Sequence, residues 1–77
     1  MVTLGWTDRF RFGMYRHNGV RAVWNHRPSY LVWLLCNTST RFDEEVMTEI
    51  RQRIGSISGV TPNMMVRFTN KYMEGPW

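Results

Sequence analysis

Seventy-seven residues, 43% of them hydrophobic and 14% aromatic, suffice for one small folded domain and are too apolar for a disordered chain. No apolar run of about 18 residues occurs, and no basic segment precedes an apolar stretch, so we expect neither a membrane span nor a signal peptide. The net charge of +4 indicates either a negatively charged partner or a solvated surface in which the codon bias of a GC-rich genome supplies arginine for lysine. A single cysteine without a disulfide partner favours a reducing cytosol.

The first predicted element is a β-hairpin over residues 9–23. Arginine and phenylalanine alternate in "RFRFG", which is typical of a strand with both phenylalanines facing inward and both arginines outward. The pair Asn18-Gly19 supplies the turn, because it tolerates positive φ at low cost. The following "VRAVW" either returns as a second short strand or begins a helical turn.

The second predicted element is a helix over residues 28–37. It begins at Pro28, since proline is tolerated at the first helical position, and it ends in the polar "NTST". The apolar residues of "YLVWLL" form a broad face at helical spacing. We therefore expect a core that includes Phe10, Phe12, Tyr30 and Trp33.

A second helix is predicted over residues 42–54. Thr40 and Asp43 have capping-box spacing at its start, and Gly55 offers a C-cap at its end. The helix has acidic residues in its first turn and arginines in its last, which suits the helix dipole.

A short third helix is predicted to begin with Thr61 as cap and Pro62 at the first position. The final "EGPW" is expected to be a frayed tail. The sequence thus predicts a single α+β domain, residues 1–77, in which an N-terminal β-hairpin packs on two to three short helices.

Several of these segments resemble a known family. The stretches "FGMYRHNG", "RPSYLVWLL" and "FDEEV" are similar in order and spacing to the small C-terminal domain of exodeoxyribonuclease X-like proteins, which also occurs free-standing in phage and bacterial proteins. The matching positions are Phe12-Gly13, Arg16, Gly19, Pro28, Tyr30-Leu31, Trp33 and Phe42-Asp43, within residues 8–54. Met14 stands where the family usually has lysine. The resemblance implies a hairpin with helices and an accessory binding role, because the family's exonuclease chemistry belongs to a separate acidic domain.

The inventory of reactive side chains predicts no enzyme. The acidic residues concentrate in "DEEVMTE", where helix capping and charge pairing explain them better than a metal site. His17, His26 and Cys36 lack zinc-binding spacing, and no phosphate-binding glycine loop occurs. We expect Cys36 to be packed and inert, and we expect no catalytic residue, metal or cofactor.

The expected contact surface is the outer face of the hairpin. Arginine suits this role because its planar fork binds phosphate or carboxylate in a bidentate manner. An exposed Tyr15 would stack on a base or a partner side chain, whereas Trp24 fits either a core edge or a partner pocket. Trp6 and Trp77 are partner anchors or mere tail residues. The candidate contact residues are Arg9, Arg11, Tyr15, Arg16, Arg21 and Trp24.

These expectations lead to a functional hypothesis. A basic chain without catalytic groups acts by occupying a surface, and the hypothesis is a phage-type regulator, monomeric when free, in the host bacterial cytosol. Its first partner class is an acidic protein surface, namely RNA polymerase or an associated factor, with transcription inhibition or antitermination as the outcome. Direct DNA or RNA binding is the alternative, and inhibition of a bacterial defence or replication enzyme is a third.

Overall fold

A computed structural model describes residues 3–73. Within that range four α-helices and two very short strands form an α+β domain, which confirms the predicted fold class. The expected frayed tail, residues 74–77, and Trp77 with it lie outside the described residues. The elements are β1 (Thr3–Leu4), α1 (Val20–His26), α2 (Pro28–Asn37), β2 (Arg41–Phe42), α3 (Glu44–Arg53), a 3₁₀ turn (Ile54–Ser56) and α4 (Pro62–Tyr72).

The two strands pair in parallel, and α1 and α2 lie between them in the chain. Leu4 is in register with Phe42, and both side chains are buried. The Asp43 N–H donates to the Leu4 carbonyl at 2.9 Å, which extends the pairing by one bond. This short sheet holds the N-terminal segment against the N-terminus of α3.

Helix α2 is the centre of the domain, and its predicted bounds are confirmed. It packs against α1 on one side and α4 on another, and five of its ten residues are buried. Around it the core comprises Leu4, Phe10, Val20, Val23, Trp24, Tyr30, Leu31, Val32, Leu34, Leu35, Phe42, Val46, Met47, Ile50, Ile54 and Phe68. None of the helices within residues 3–73 has the length and apolar composition that a membrane span requires.

Side-chain caps define where the last two helices begin. The Thr61 hydroxyl accepts a hydrogen bond from the Met64 N–H at 3.1 Å, which confirms the predicted start of α4. The predicted cap of α3 is wrong: Asp43, not Thr40, accepts from the Val46 N–H at 3.1 Å. The reason is that the strand β2 keeps the two residues after Thr40 extended. The predicted C-cap is also wrong, since Gly55 lies inside a 3₁₀ turn.

The predicted N-terminal hairpin is not formed as a pair of strands. One antiparallel bridge joins Arg9 to Gly19, and residues 20–26 form α1 instead of a second strand. The expected turn residue Gly19 has a φ of −71°, whereas the positive φ values within residues 9–19 belong to Gly13 (75°) and His17 (74°). Two left-handed residues close a wide loop, and the helix begins directly after it. Residues 9–19 are named the 9–19 loop below.

Two of the four residues expected in the core lie at the surface. Phe10 and Tyr30 are buried as predicted, but Phe12 is 40% exposed and Trp33 is 46% exposed. Helix α2 is apolar around most of its circumference, so its pattern does not define which side faces solvent. Its buried residues are Tyr30, Val32 and the three leucines, and the ring of Trp33 projects outward.

Truncation of Phe10 should therefore cost far more stability than truncation of Trp33. Phe10→Ala removes a fully buried ring and should lower the free energy of unfolding by about 3–5 kcal/mol. Trp33→Ala should cost about half of that or less, because nearly half of the side chain already contacts water. Urea denaturation of both variants checks this, and an equal loss from the two would contradict the burial described here.

Candidate functional site

The 9–19 loop is held by its own backbone and by one buried ring. The Phe10 N–H donates to the Asn18 carbonyl at 2.9 Å, and the His17 N–H donates back to the Phe10 carbonyl at 2.8 Å. The Val20 N–H donates to the Asp8 carbonyl at 2.9 Å, where α1 begins. The ring of Phe10, 1% exposed, lies 5.8 Å from Tyr30 and 6.3 Å from Phe42 between ring centroids. The loop is thus a closed, anchored structure.

Three of the predicted contact residues meet around one groove. It has a volume of about 620 Å³ and is bounded by the start of the 9–19 loop and by its returning arm. We name it the arginine groove. Its lining residues are Leu4, Thr7, Asp8, Arg9, Phe10, Arg11, Arg16 and His17. The structure therefore brings Arg9, Arg11 and Arg16 together, as the sequence suggested.

The charge of the arginine groove is not neutralised by the rest of the described chain. Asp8 is its single lining carboxylate, and it accepts a hydrogen bond from the Gly5 N–H at 2.7 Å. Within residues 3–73, the ion pairs are Arg51–Glu44 and Arg53–Glu49, both on α3. The guanidinium groups of the groove are thus available to an anionic partner.

The other three predicted contact residues lie elsewhere. The guanidinium of Arg21 lies over the ring of Trp6, 4.0 Å from its centroid, and that ring lies 6.0 Å from Trp24. Trp24 is only 3% exposed, so it is a core residue and not a contact residue. Trp6 is partly buried and packs over Trp24 at the edge of the core. This packing differs from both roles suggested for Trp6, a partner anchor and a tail residue. Tyr15 is half-buried against Tyr30, with ring centroids 4.8 Å apart.

The structure also shows an exposed apolar pocket that the sequence did not reveal. Trp33 on α2 lies beside Met14, which is 72% exposed at the tip of the 9–19 loop. The pocket has a volume of about 200 Å³ and is named the Trp33 pocket; its lining residues are Met14, Arg27, Ser29, Tyr30, Trp33, Gly59 and Met64. Burial, together with the neighbouring Tyr15, raises the pKa of Tyr30, so its hydroxyl stays neutral. One sequence signal could have indicated this pocket. Trp33 stands in a run of leucines and valine that is long enough to supply the buried residues of the helix, so its own ring is not needed in the core.

A third groove, of about 400 Å³, lies between α3 and α4. Among its cations, Arg51 already donates to the Tyr72 carbonyl at 3.1 Å and to Glu44 at 2.6 Å. The ammonium of Lys71 lies 5.4 Å from the ring of Tyr72. The bond from Arg51 to Tyr72 joins the two helices, whereas the other two contacts lie within one helix each. Because both cations already have partners in the domain, this groove is a weaker candidate.

The reactive side chains do not converge. Within the described residues no three of His, Cys, Asp and Glu are placed to hold a metal ion. His17 lines the arginine groove, whereas His26 lies 6.2 Å from Tyr15 between ring centroids. Burial raises the pKa of the Cys36 thiol, against a smaller opposing effect of Arg67 and Lys71. The thiol, half-buried and 3.5 Å from the Met64 carbonyl, therefore remains protonated at neutral pH.

Comparison with known proteins gives no assignment. No family model matches the chain, and the searches of curated proteins and of solved structures each return no match. The resemblance to the exodeoxyribonuclease X-like domain therefore depends on the residues quoted above and remains a proposal.

Gly13 is the residue that seats the loop tip on α2, and its replacement should displace the tip. Its φ is 75°, and an added Cβ would lie 2.5 Å from the Tyr30 Oη. Gly13→Ala should lower the free energy of unfolding by about 1–3 kcal/mol. At Gly55 an added Cβ meets nothing within 4 Å, so Gly55→Ala is the matched control and should be neutral or slightly stabilising. Thermal melting of both variants measures this; equal melting temperatures would refute the tight seating of Gly13.

Proposed function

We propose that this chain is a non-enzymatic binding module that docks on host nucleic-acid machinery. The arginine groove is the observation that carries the proposal: Arg9, Arg11 and Arg16 surround one surface, and their charges are not paired within the described residues. Such a surface attracts a partner that presents carboxylates or phosphates, and it steers the approach of that partner.

Within this proposal the first partner class is RNA polymerase or a factor bound to it. A small basic protein regulates such an assembly by covering or remodelling an acidic part of its surface, with inhibition of transcription or antitermination as the outcome. The resemblance to a domain found free-standing in phage proteins supports a phage-type regulator acting in the host cytosol.

Direct binding of DNA or RNA is the second candidate, and the same groove favours it. Arg9, Arg11 and Arg16 together with His17 would contact consecutive phosphates. The two candidates differ in their response to salt. Affinity for nucleic acid falls log-linearly with salt, with a slope near the number of phosphates neutralised, whereas an interface with an apolar anchor loses less.

The test compares two pairs of arginine substitutions. Arg11→Ala with Arg16→Ala removes two groove cations, and Arg41→Ala with Arg53→Ala removes two cations that do not line the groove. Binding to purified bacterial RNA polymerase, treated with nuclease, is measured by biolayer interferometry, with folding checked by circular dichroism. The groove pair should weaken binding roughly thirtyfold, equivalent to about 2 kcal/mol, and the control pair should have little effect.

The other outcomes are equally informative. Equal loss from both pairs would show generic charge attraction, and loss from the control pair alone would place the site elsewhere; either result refutes the groove. Tight binding of an oligonucleotide, with a steep salt dependence and no binding to the polymerase, would replace the protein partner with nucleic acid.

A further inference from the structure

We propose that the Trp33 pocket is a docking point for one apolar side chain carried by an acidic segment of the partner protein. This inference rests on the proposed function, because it assigns part of the partner's contact to a surface distinct from the arginine groove. Three features of the pocket support it: the exposure of its apolar side chains, the packing of its floor against the core, and the charge at its rim.

The pocket exposes a large apolar side chain that the core does not use. Trp33 is 46% exposed and Met14 is 72% exposed, and the two residues line the same pocket of about 200 Å³. Tryptophan and arginine are the residues most enriched at interface hot spots, and methionine adapts its shape to different partners. The pocket is large enough for one side chain, not for a folded element.

The floor of the pocket, formed by Trp33 and Tyr30, packs on aromatic rings beneath it. The ring of Trp33 is nearly parallel to that of Tyr30, at 11° with centroids 6.2 Å apart. Tyr30 is in turn packed edge-to-face against Phe10 and Tyr15. Because Tyr30 belongs to the core and Trp33 stacks on it, the floor loses less conformational entropy on binding than unsupported side chains would.

The charge at the rim selects an acidic occupant. Arg27 lines the pocket, no described Asp or Glu lines it, and Arg27 belongs to neither ion pair found within residues 3–73. A second copy of this chain would bring another net charge of +4, which opposes self-association. One cation in an otherwise mostly apolar lining also gives no track for consecutive phosphates. An apolar side chain flanked by carboxylates fits these features best.

Nuclear magnetic resonance can test the proposal on the intact chain. The indole N–H signal of Trp33, assigned with Trp33→Phe, is followed during titration with three probes. The first is a short peptide of Asp, Glu and Gly with one central leucine, the second has serine in place of that leucine, and the third is an oligothymidylate. The leucine peptide should shift the Trp33 signal saturably and bind about tenfold more tightly than the serine peptide.

Two variants and a control complete the experiment. Binding to the variants is followed through the backbone amide signals of the residues around the pocket, because Trp33→Ala removes the indole. Trp33→Ala and Met14→Ser should each weaken binding of the leucine peptide about tenfold, whereas Val66→Ala, at an exposed position outside the pocket, should not. Met14 is the more exposed of the two pocket residues, so its variant keeps the test valid if Trp33→Ala unfolds.

Three results would overturn the inference. Equal binding of the leucine and serine peptides would show charge attraction alone. Stronger shifts of Trp33 by the oligothymidylate would show base stacking, and shifts that depend on protein concentration without any probe would show a second copy. If the peptide titration fails but the arginine substitutions weaken polymerase binding, the pocket is rejected and the proposed function stands. If the leucine peptide binds at Trp33 but the arginine substitutions have no effect, the pocket is retained and the arginine groove is rejected.

Discussion

The burial of Phe10 is the constraint on which the arrangement of this small domain depends. Its ring packs edge-to-face against Phe12, Tyr30 and Phe42, which come from the 9–19 loop, α2 and β2 respectively. Without this anchor the loop would be joined to the domain by a single bridge, a few backbone hydrogen bonds and the half-buried ring of Tyr15. Fixing Phe10 also fixes the residues on each side of it. Arg9 and Arg11 then line the arginine groove, and Met14 reaches the Trp33 pocket. One apolar contact thus positions both candidate binding surfaces.

Charged side chains are paired with one another on helix α3 but not in the 9–19 loop. Helix α3 has an aspartate N-cap and two glutamates in its first turn, and its Arg51 and Arg53 pair with Glu44 and Glu49. These pairs are exposed, and each stabilises the fold by roughly 0–1 kcal/mol. The cations of the 9–19 loop have no such partners within residues 3–73. Because exposed arginines without such partners add little to folding, they can be substituted to test the proposed anionic partner with little effect on the fold.

Helices α2, α3 and α4 could be predicted from local signals, whereas the N-terminal third, which contains α1, could not. Proline at the first position and a clear stop set the bounds of α2, and Thr61 with Pro62 set the start of α4. The alternation of "RFRFG" did separate the buried Phe10 from its arginine neighbours, but it could not show that Gly13 and His17 close a loop in place of a hairpin. Which apolar residue of α2 faces solvent depends on how α1 and α4 pack against it, so Trp33 was misplaced. The grouping of Arg9, Arg11 and Arg16 could be predicted because the three residues are close in sequence. The Trp33 pocket could not, because its lining residues come from separate segments that only the fold brings together.

The most direct test of this account is amide hydrogen exchange of the 9–19 loop. The N–H groups of Phe10, His17 and Val20 donate the backbone bonds that close it. If Phe10 anchors the loop as described, these amides open only with the domain, and their protection should be of the same order as that of the amides in α2. Exchange of the three at the rate of an unprotected chain, while α2 remains protected, would contradict an anchored loop and with it both binding surfaces.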